Sequence, residues 1–410
     1  MDLKGLYGQN ANIREKEDRF EKLRTAHEEL FGKKATAIFS ASGRTELGGN
    51  HTDHNLGRVL ASSISLDTIA AVHEEDSMRV RIISEGFDPI EMDLSSTNPI
   101  KSEEGTTQAL VRGIADSILN RGGYIKGFTA NISSSVLPGS GLSSSASVEV
   151  LIGTIFSSLF NGGRFSTTEI AIMGQEAENI HFGKPCGLMD QVACANGGIV
   201  RIDFKNPKCP VITPIQTDFE SYGYSLVIVN TGGSHADLTP DYAAIPNEMK
   251  AVASYFGKNT LSEVDRQEFL SSLKGVRETL KNDRALLRTF HYFSENDRVD
   301  RMVDSLLNND FETYLETVRE CGRSSVSYLQ NAFSPQHPDM QGITTALALS
   351  EELLKDKGAA RLHGGGFAGT IQAYVPIAEA ESYISAMEAQ FGASSCTRIA
   401  IRPLPVTRVI

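Results

Sequence analysis

Three glycine-rich stretches hold most of the residues whose types and spacing suit chemistry. Residues 137–146 read LPGSGLSSSA and run straight into the apolar segment VEVLIGTIFSSLF. A glycine-rich turn at the mouth of a helix presents unpaired backbone N–H groups beside the positive end of the helix dipole, and that is an anion site. Pro138, Gly139, Ser140, Gly141 and Leu142 let backbone approach a phosphate closely, while Ser143, Ser144 and Ser145 offer hydroxyls to phosphate or to Mg²⁺. Taken alone, the stretch also suits a tight strand-to-helix turn with a serine N-cap. Residues 42–60, SGRTELGGNHTDHNLGRVL, crowd Arg44, Asn50, His51, Asp53 and His54 into one turn-rich segment after a strand. His51 and His54 stand three apart with no cysteine partner, so they read as hydrogen-bonded or solvated rings before they read as metal ligands. The third stretch, LHGGGFAGT (362–370), sets Gly364, Gly365 and Gly366 between a helix and a strand.

Two familiar chemistries fail on these residues. A Walker A loop ends in G-K-[ST], and 137–146 contains no lysine. A hydrolase nucleophile elbow reads G-x-S-x-G, whereas Ser140 lies directly between Gly139 and Gly141. A phosphate loop of another type remains.

The frame around the loops is that of an ordinary globular chain. Its 410 residues suggest two or three cores, and a net charge of −12 argues against a surface built for nucleic acid or anionic lipid. Five cysteines without a C-x-x-C pair suit a reducing compartment. The N-terminus has no apolar signal-like run and no later segment has membrane-spanning length, so the expectation is a soluble, cytoplasmic protein without a membrane partner.

Along the chain, the first 35 residues carry helical spacing at Phe20, Leu23, Ala26, Leu30 and Phe31. Residues 36–43, 59–74, 78–84 and 125–134 are short and rich in β-branched residues, as strands of a mixed sheet are, with a helix over about 107–121 between them. VEVLIGTIFSSLF is too densely apolar for an exposed helix. A helix over about 167–181 then leads into the loop FGKPCGLMDQ, followed by strands at 197–204 and 224–232. Residues 241–331 are mostly helical, and the chain closes as an α+β layer. This order predicts two lobes that meet near residue 215.

Taken together, the three loops resemble in order and spacing the motifs of the galactokinase branch of the GHMP sugar and metabolite kinases. AENIHFGKPCGLMDQVACANGGIVRIDF (177–204) is similar to the segment with the family's catalytic aspartate, NTGGSHADLTPDY (230–242) to the segment with its sugar-contacting tyrosine, and RTFHYFSEN (288–296) to its R-x-x-H-x-x-x-E helix. The resemblance covers about residues 36–375. It implies an α+β, two-lobed GHMP kinase fold with mixed β-sheets packed against helices and the active site between the lobes, 1–215 and 216–410.

The roles that follow are those the resemblance implies. Residues 138–145 wrap the ATP phosphates, with Gly365 closing over them from the C-terminal lobe. Ser144 or Ser145, with Glu178, holds Mg²⁺. Asp190 is the catalytic aspartate and Arg44 its partner, a pairing that would keep the carboxyl ionised. Asn50, His51, Asp53, Gly187 and Tyr242 bind the sugar, and Cys186 packs. The departures are Asn50 for a glutamate that contacts the sugar near C6, His54 for a tyrosine, a proline moved one place at Pro138, and Ala368 for a glycine. Asn50 is thereby expected to alter recognition at C6. The implied activity is transfer of the γ-phosphoryl group of MgATP to the anomeric hydroxyl of galactose, with galacturonate or arabinose as alternative sugars. A sugar and ATP sensor without turnover is the reading from another class. The implied partners are the small-molecule sugar and ATP, and the protein would be a monomer or homodimer.

Overall fold

A computed structural model describes residues 3–8, 11–136, 141–184, 186–207, 209–233 and 238–410. The strands are β1 (Ala37–Gly48), β2 (Arg58–Glu74), β3 (Arg79–Ser84), β4 (Ile90–Asp93), β5 (Phe128–Ser134), β6 (Ile199–Asp203), β7 (Val211–Ile215), β8 (Tyr224–Asn230), β9 (Ala359–His363), β10 (Thr370–Pro376), β11 (Cys396–Ile399) and β12 (Thr407–Arg408). The helices that matter below are α1 (Leu3–Tyr7), α2 (Ile13–Phe31), α3 (Thr107–Asn120), α4 (Ser144–Phe160), α5 (Thr167–Glu176), α6 (Met189–Asn196) and α7 (Thr239–Tyr255). Beyond them lie α8 (Arg266–Ser271), α9 (Leu273–Leu280), α10 (Asp283–Leu307) and α11 (Phe311–Ser324).

One sheet runs β12-β1-β2-β5-β3-β4, and β6 extends it from the first half of β2 with β7 outside. A second sheet runs β11-β8-β10-β9 and is antiparallel throughout. The first sheet thus draws its strands from 37–215 and 407–408, the second from 224–399. The last residues cross back: Ile401 bridges Ile64, and β12 pairs with the edge of β1.

Apolar density accounts for where the core lies. In α4, Val150, Leu151, Ile152, Ile155 and Phe156 are all fully buried between the first sheet and α3, α5 and α6. Burying a side chain of this size removes about 1.5–3 kcal/mol of exposed-apolar cost. That dense core fixes the start of α4, and hence the serine run, against β1.

The strand expected over 36–43 runs five residues further, to Gly48, so Arg44 and Glu46 sit on a strand and not in a turn-rich loop. Every residue of β1 is buried, so it lacks the alternation by which a half-exposed strand declares its length. Two register shifts against β2, at Ser42/Arg44 and Glu46/Gly48, bend it and re-aim its side chains. The expected loop FGKPCGLMDQ ends earlier than its sequence suggested, because α6 begins at Met189 and carries Asp190 in its first turn. No side-chain N-cap announces that helix; burial of Val192, Ala193, Cys194 and Ala195 holds it. The helix expected over 167–181 is regular only to Glu176, after which Ala177–Phe182 widens into a π-helical turn. Strands β4 and β7 carried too little pattern to be expected.

A buried carboxylate ties both chain ends to the first sheet. Asp67, on β2 and fully buried, accepts from Tyr7 Oη, Ser40 Oγ and Arg19 Nη1, and Arg402 Nη1 lies 3.6 Å away. Burial alone would raise its carboxyl; Arg19 and Arg402 outweigh that and hold it below the usual range. Asp67→Asn would strand the fully buried Arg402 without a counter-charge, at a cost of about 3–5 kcal/mol. The expected result is a lower urea midpoint at unchanged m-value, and a loss below about 1 kcal/mol would show that the ends are held by packing alone.

Candidate active site

β1, the mouth of α4 and the first turn of α6 converge on one ion pair. Arg44 Nε donates to Asp190 Oδ1 at 2.8 Å and Nη2 to Oδ2 at 2.9 Å, while Nη1 donates to the Gly141 carbonyl. Ser143 Oγ donates to Asp190 Oδ2 as well. Burial by itself would raise the Asp190 carboxyl; the Arg44 guanidinium and the Ser143 hydroxyl reverse that and hold it below the usual carboxylate range. Asp190 is therefore ionised at neutral pH. Arg44 is 6% exposed and pinned at all three nitrogens, so it is a fixed charge.

Ser143 leads into α4 with φ of 60° and ψ of 61°, and its side chain makes no capping bond to the helix. A non-glycine residue in this left-handed region costs about 1–3 kcal/mol. In return, the hydroxyl points at Asp190 and not at its own helix. Ser144 and Ser145 line the same cleft and make no side-chain hydrogen bond among the described residues. Pro138, Gly139 and Ser140 lie outside the described residues.

The cleft holds about 250 Å³ and is walled on one side by Arg44, Gly141, Leu142, Ser143–Ser145, Lys184 and Asp190. His363 and the glycine loop Gly364–Gly366 wall the other side. Each carbonyl of that loop is taken by a side chain. Asn50 Nδ2 donates to Gly364 O at 2.7 Å, His51 Nε2 to Gly365 O at 2.9 Å and Tyr242 Oη to Gly366 O at 2.8 Å. Asn331 Nδ2 adds a bond to Gly365 O at 3.1 Å. Gly366 needs its glycine, because φ is +84° and a Cβ would lie 2.2 Å from Asn331 O.

The expected sugar residues are thus brought together, but they do different work. Asp53 lies over Gly187 so closely that a Cβ there would stand 2.0 Å from Asp53 Oδ2, while Oδ1 accepts from His54 N at 3.0 Å. Asn50 is 1% exposed. Its amide donates to both Glu46 oxygens, at 3.1 and 3.2 Å, and accepts from Asn331. The side chain expected to read sugar C6 is occupied inside the protein. A glutamate at 50 would face the buried Glu46 carboxylate. His51 spends Nε2, and Tyr242 its hydroxyl, on the glycine loop.

Three helpers were not assigned roles from sequence alone. Arg361 pairs with Glu46 under the sugar loop, both fully desolvated. His363 bridges Thr45 Oγ1 at 3.0 Å and Thr370 Oγ1 at 3.1 Å. Lys184 reaches into the cleft 3.4 Å from Glu178 Oε1. Glu178 lies on the π-helical turn, 4% exposed, with Oε2 accepting from Gln191 Nε2 at 3.1 Å. The R-x-x-H-x-x-x-E motif on α10 holds backbone: His291 Nε2 meets Asn50 O at 2.9 Å, Glu295 Oε1 accepts from Gly49 N at 3.1 Å, and Arg288 Nε donates to Leu329 O at 3.0 Å.

Burial and the neighbouring His54 ring push His51 down to about 4. The neutral ring donates to Gly365 O through Nε2–H. Below its ordinary value of 6.5 the unfolded chain binds a proton that the folded ring refuses, so this contribution to stability is complete above pH 6.5 and fades as pH falls toward 4. An NMR titration of His51 should therefore give a midpoint near 4; a midpoint near 6.5 would show that the ring is not buried between the two loops.

Residues 109–198 match the family described as GHMP kinases N terminal domain, and residues 25–74 match the galactokinase galactose-binding signature. The fold is similar to that of Lactococcus lactis galactokinase crystallised with galactose, with TM-score 0.81 and 22% identity over 95% of this chain and all of that one. It is similar also to Methanococcus jannaschii mevalonate kinase, with TM-score 0.62 and 15% identity over 90% of this chain and 98% of that one. Likewise L. major mevalonate kinase in complex with R-mevalonate gives TM-score 0.60 and 16% identity over 90% and 96%. Among the described residues no helix is long and apolar enough to cross a membrane. The first match spans α4, the π-helical turn and Asp190, and the second spans Arg44 and the sugar loop. Residues 109–198 thus carry the pattern of a GHMP kinase N-terminal domain and residues 25–74 that of the galactokinase galactose-binding signature.

Proposed function

We propose that the chain is an ATP-dependent sugar 1-kinase whose acceptor is galactose, yielding galactose 1-phosphate and ADP. The observation that carries this reading is the Arg44–Asp190 pair, set at the mouth of the serine helix in a cleft that the glycine loop closes from the opposite side. Phosphoryl transfer asks for positioning and charge neutralisation, and this arrangement supplies both.

Asp190 Oδ2 already accepts from Arg44 and Ser143, whereas among the described residues Oδ1 accepts only from Arg44. Oδ1 therefore keeps a lone pair for the anomeric hydroxyl. The hydroxyl oxygen attacks the γ-phosphorus as its proton moves to Asp190, and the bond from the γ-phosphorus to the bridging oxygen breaks with its electrons left on ADP. Because the carboxylate is held below its usual range, it is a weak base, and aligning the hydroxyl is the larger part of its task. Arg44 offsets charge on the transferred group.

The nucleotide phosphates enter over residues 138–145 and meet the N-terminus of α4, with Gly365 opposite. Ser144, Ser145 and Glu178 are hard oxygen donors, the set that suits Mg²⁺, which when bound supplies neutralisation of the phosphate charge. Asp53, pressed on Gly187, presents its carboxylate to two vicinal sugar hydroxyls, and the galactose-binding match over 25–74 supports galactose as that sugar. Asn50, His51 and Tyr242 act from behind by fixing the glycine loop. We place the two lobes at 1–215 and 216–410, with the last residues returning to the first sheet.

The test is an ADP-release assay on galactose, galacturonate, arabinose, N-acetylgalactosamine and mevalonate, run on the parent and on Asp190→Asn. Galactose should give the highest kcat/KM; Asp190→Asn leaves the buried Arg44 without its counter-charge and should lower the urea midpoint, while the variant that remains folded still binds nucleotide and loses about 10² or more in kcat. Turnover within about threefold of the parent would remove Asp190 from catalysis. A parent that binds galactose and ATP without releasing ADP would make the protein a sensor.

A further inference from the structure

Among the described residues, Lys184 is the cation of the cleft wall with room to move. Its side chain is 66% exposed, and its ammonium makes one loose contact there, Nζ to Glu178 Oε1 at 3.4 Å. Arg44, also on the cleft wall, is buried and fixed by Asp190 and Gly141 O. Behind the Glu178 carboxylate that Lys184 contacts lies a second acid. Glu178 shares the Gln191 amide with Glu149, which is fully buried and whose Oε1 has no hydrogen-bond partner among the described residues. Burial and the Glu178 charge push Glu149 well up, as expected where two acids lie close with little to neutralise them. Lys184 therefore stands in the nucleotide-free chain where a cation is wanted, next to the carboxylate proposed for Mg²⁺.

A lysine on a flexible four-carbon stem acts as a mobile point charge with three rotatable donors, and it binds phosphate in that manner. Ser143, Ser144 and Ser145 line the same wall. We propose that Lys184 is a phosphate-positioning residue that pairs with Glu178 in the empty site and turns its ammonium to the β- and γ-phosphates when nucleotide enters. This rests on the kinase reading above. With Mg²⁺ present, the exchange would free Glu178 for the metal as the ammonium moves to the phosphates. Without metal, the contribution of the lysine to phosphate binding is largest, because the ammonium has no competing cation at the phosphate chain and the ligand charge outweighs that of Glu178.

Calorimetric titrations of ADP and AMP into the parent, Lys184→Met and Lys184→Arg, each with excess Mg²⁺ and with EDTA, test this. Lys184→Met should weaken ADP binding about tenfold or more in EDTA and about threefold or less in Mg²⁺, leave AMP unchanged, and be largely restored by Lys184→Arg. Equal losses in Mg²⁺ and EDTA, equal losses for ADP and AMP, or no loss at all would overturn the proposal. If the parent binds no ADP under either condition, the kinase reading fails with it. A parent that binds ADP alongside an unaffected Lys184→Met variant sinks the lysine proposal alone.

Discussion

The site is organised around a buried guanidinium. Arg44 stands on a strand with no exposed face, and its nitrogens meet a carboxylate from α6 and a carbonyl from the loop before α4. A desolvated cation of this kind is tolerable only with its hydrogen bonds complete, so the three elements are held in fixed relation. The bulge at Ser42/Arg44 aims the side chain, and the apolar face of α4 sets how close the loop can come. Asp190 gains a low proton affinity and a defined direction from the same contact. The geometry of the candidate site and local stability are therefore one feature, and neither can be loosened without the other.

A second constraint joins the two sheets. Glu46 and Arg361 form an ion pair excluded from water, and Gln372 Nε2 donates to Thr45 Oγ1 at 2.6 Å beside it. Around this pair the sugar loop and the glycine loop grip each other: Asn50, His51 and Tyr242 take the carbonyls of Gly364, Gly365 and Gly366 in turn. Satisfying those carbonyls lets the loop line a cleft without presenting unpaired acceptors to an anionic ligand. His51 makes its contact through Nε2–H, and burial keeps the ring neutral.

Charge across the site is graded by mobility. Arg44 is immovable, Glu178 is covered, Glu149 is sealed away and Lys184 is exposed at its tip. A binding site for a highly charged ligand needs both kinds of group. Fixed charges set direction without reorganisation, and mobile ones compensate when the ligand or its counter-ion arrives.

The three small-residue loops, the acid in CGLMDQ and the arginine in GRTELG are local strings, so the likeness to a kinase family and the candidate reacting groups are legible in them directly. The buried helix over 144–160 is legible as well, because a helix that is apolar on every side is stable in water only inside a core. Other features depended on groups far apart in the chain. β1 outran its expected end because burial on both faces erases the period that marks a strand. α6 has no cap to announce it, and only packing makes its eight residues helical. Asn50 looked like a ligand contact from its place in the motif, yet its partners Glu46, Gly364 and Asn331 claim every polar atom of its side chain. Lys184 carried no signal beyond being a lysine in a loop. Residue type and spacing determine which chemistry a chain can perform. Which side chains face the ligand and which serve the protein is decided by hydrogen bonds between residues some three hundred positions apart, and those exist only once the sheets have closed on each other.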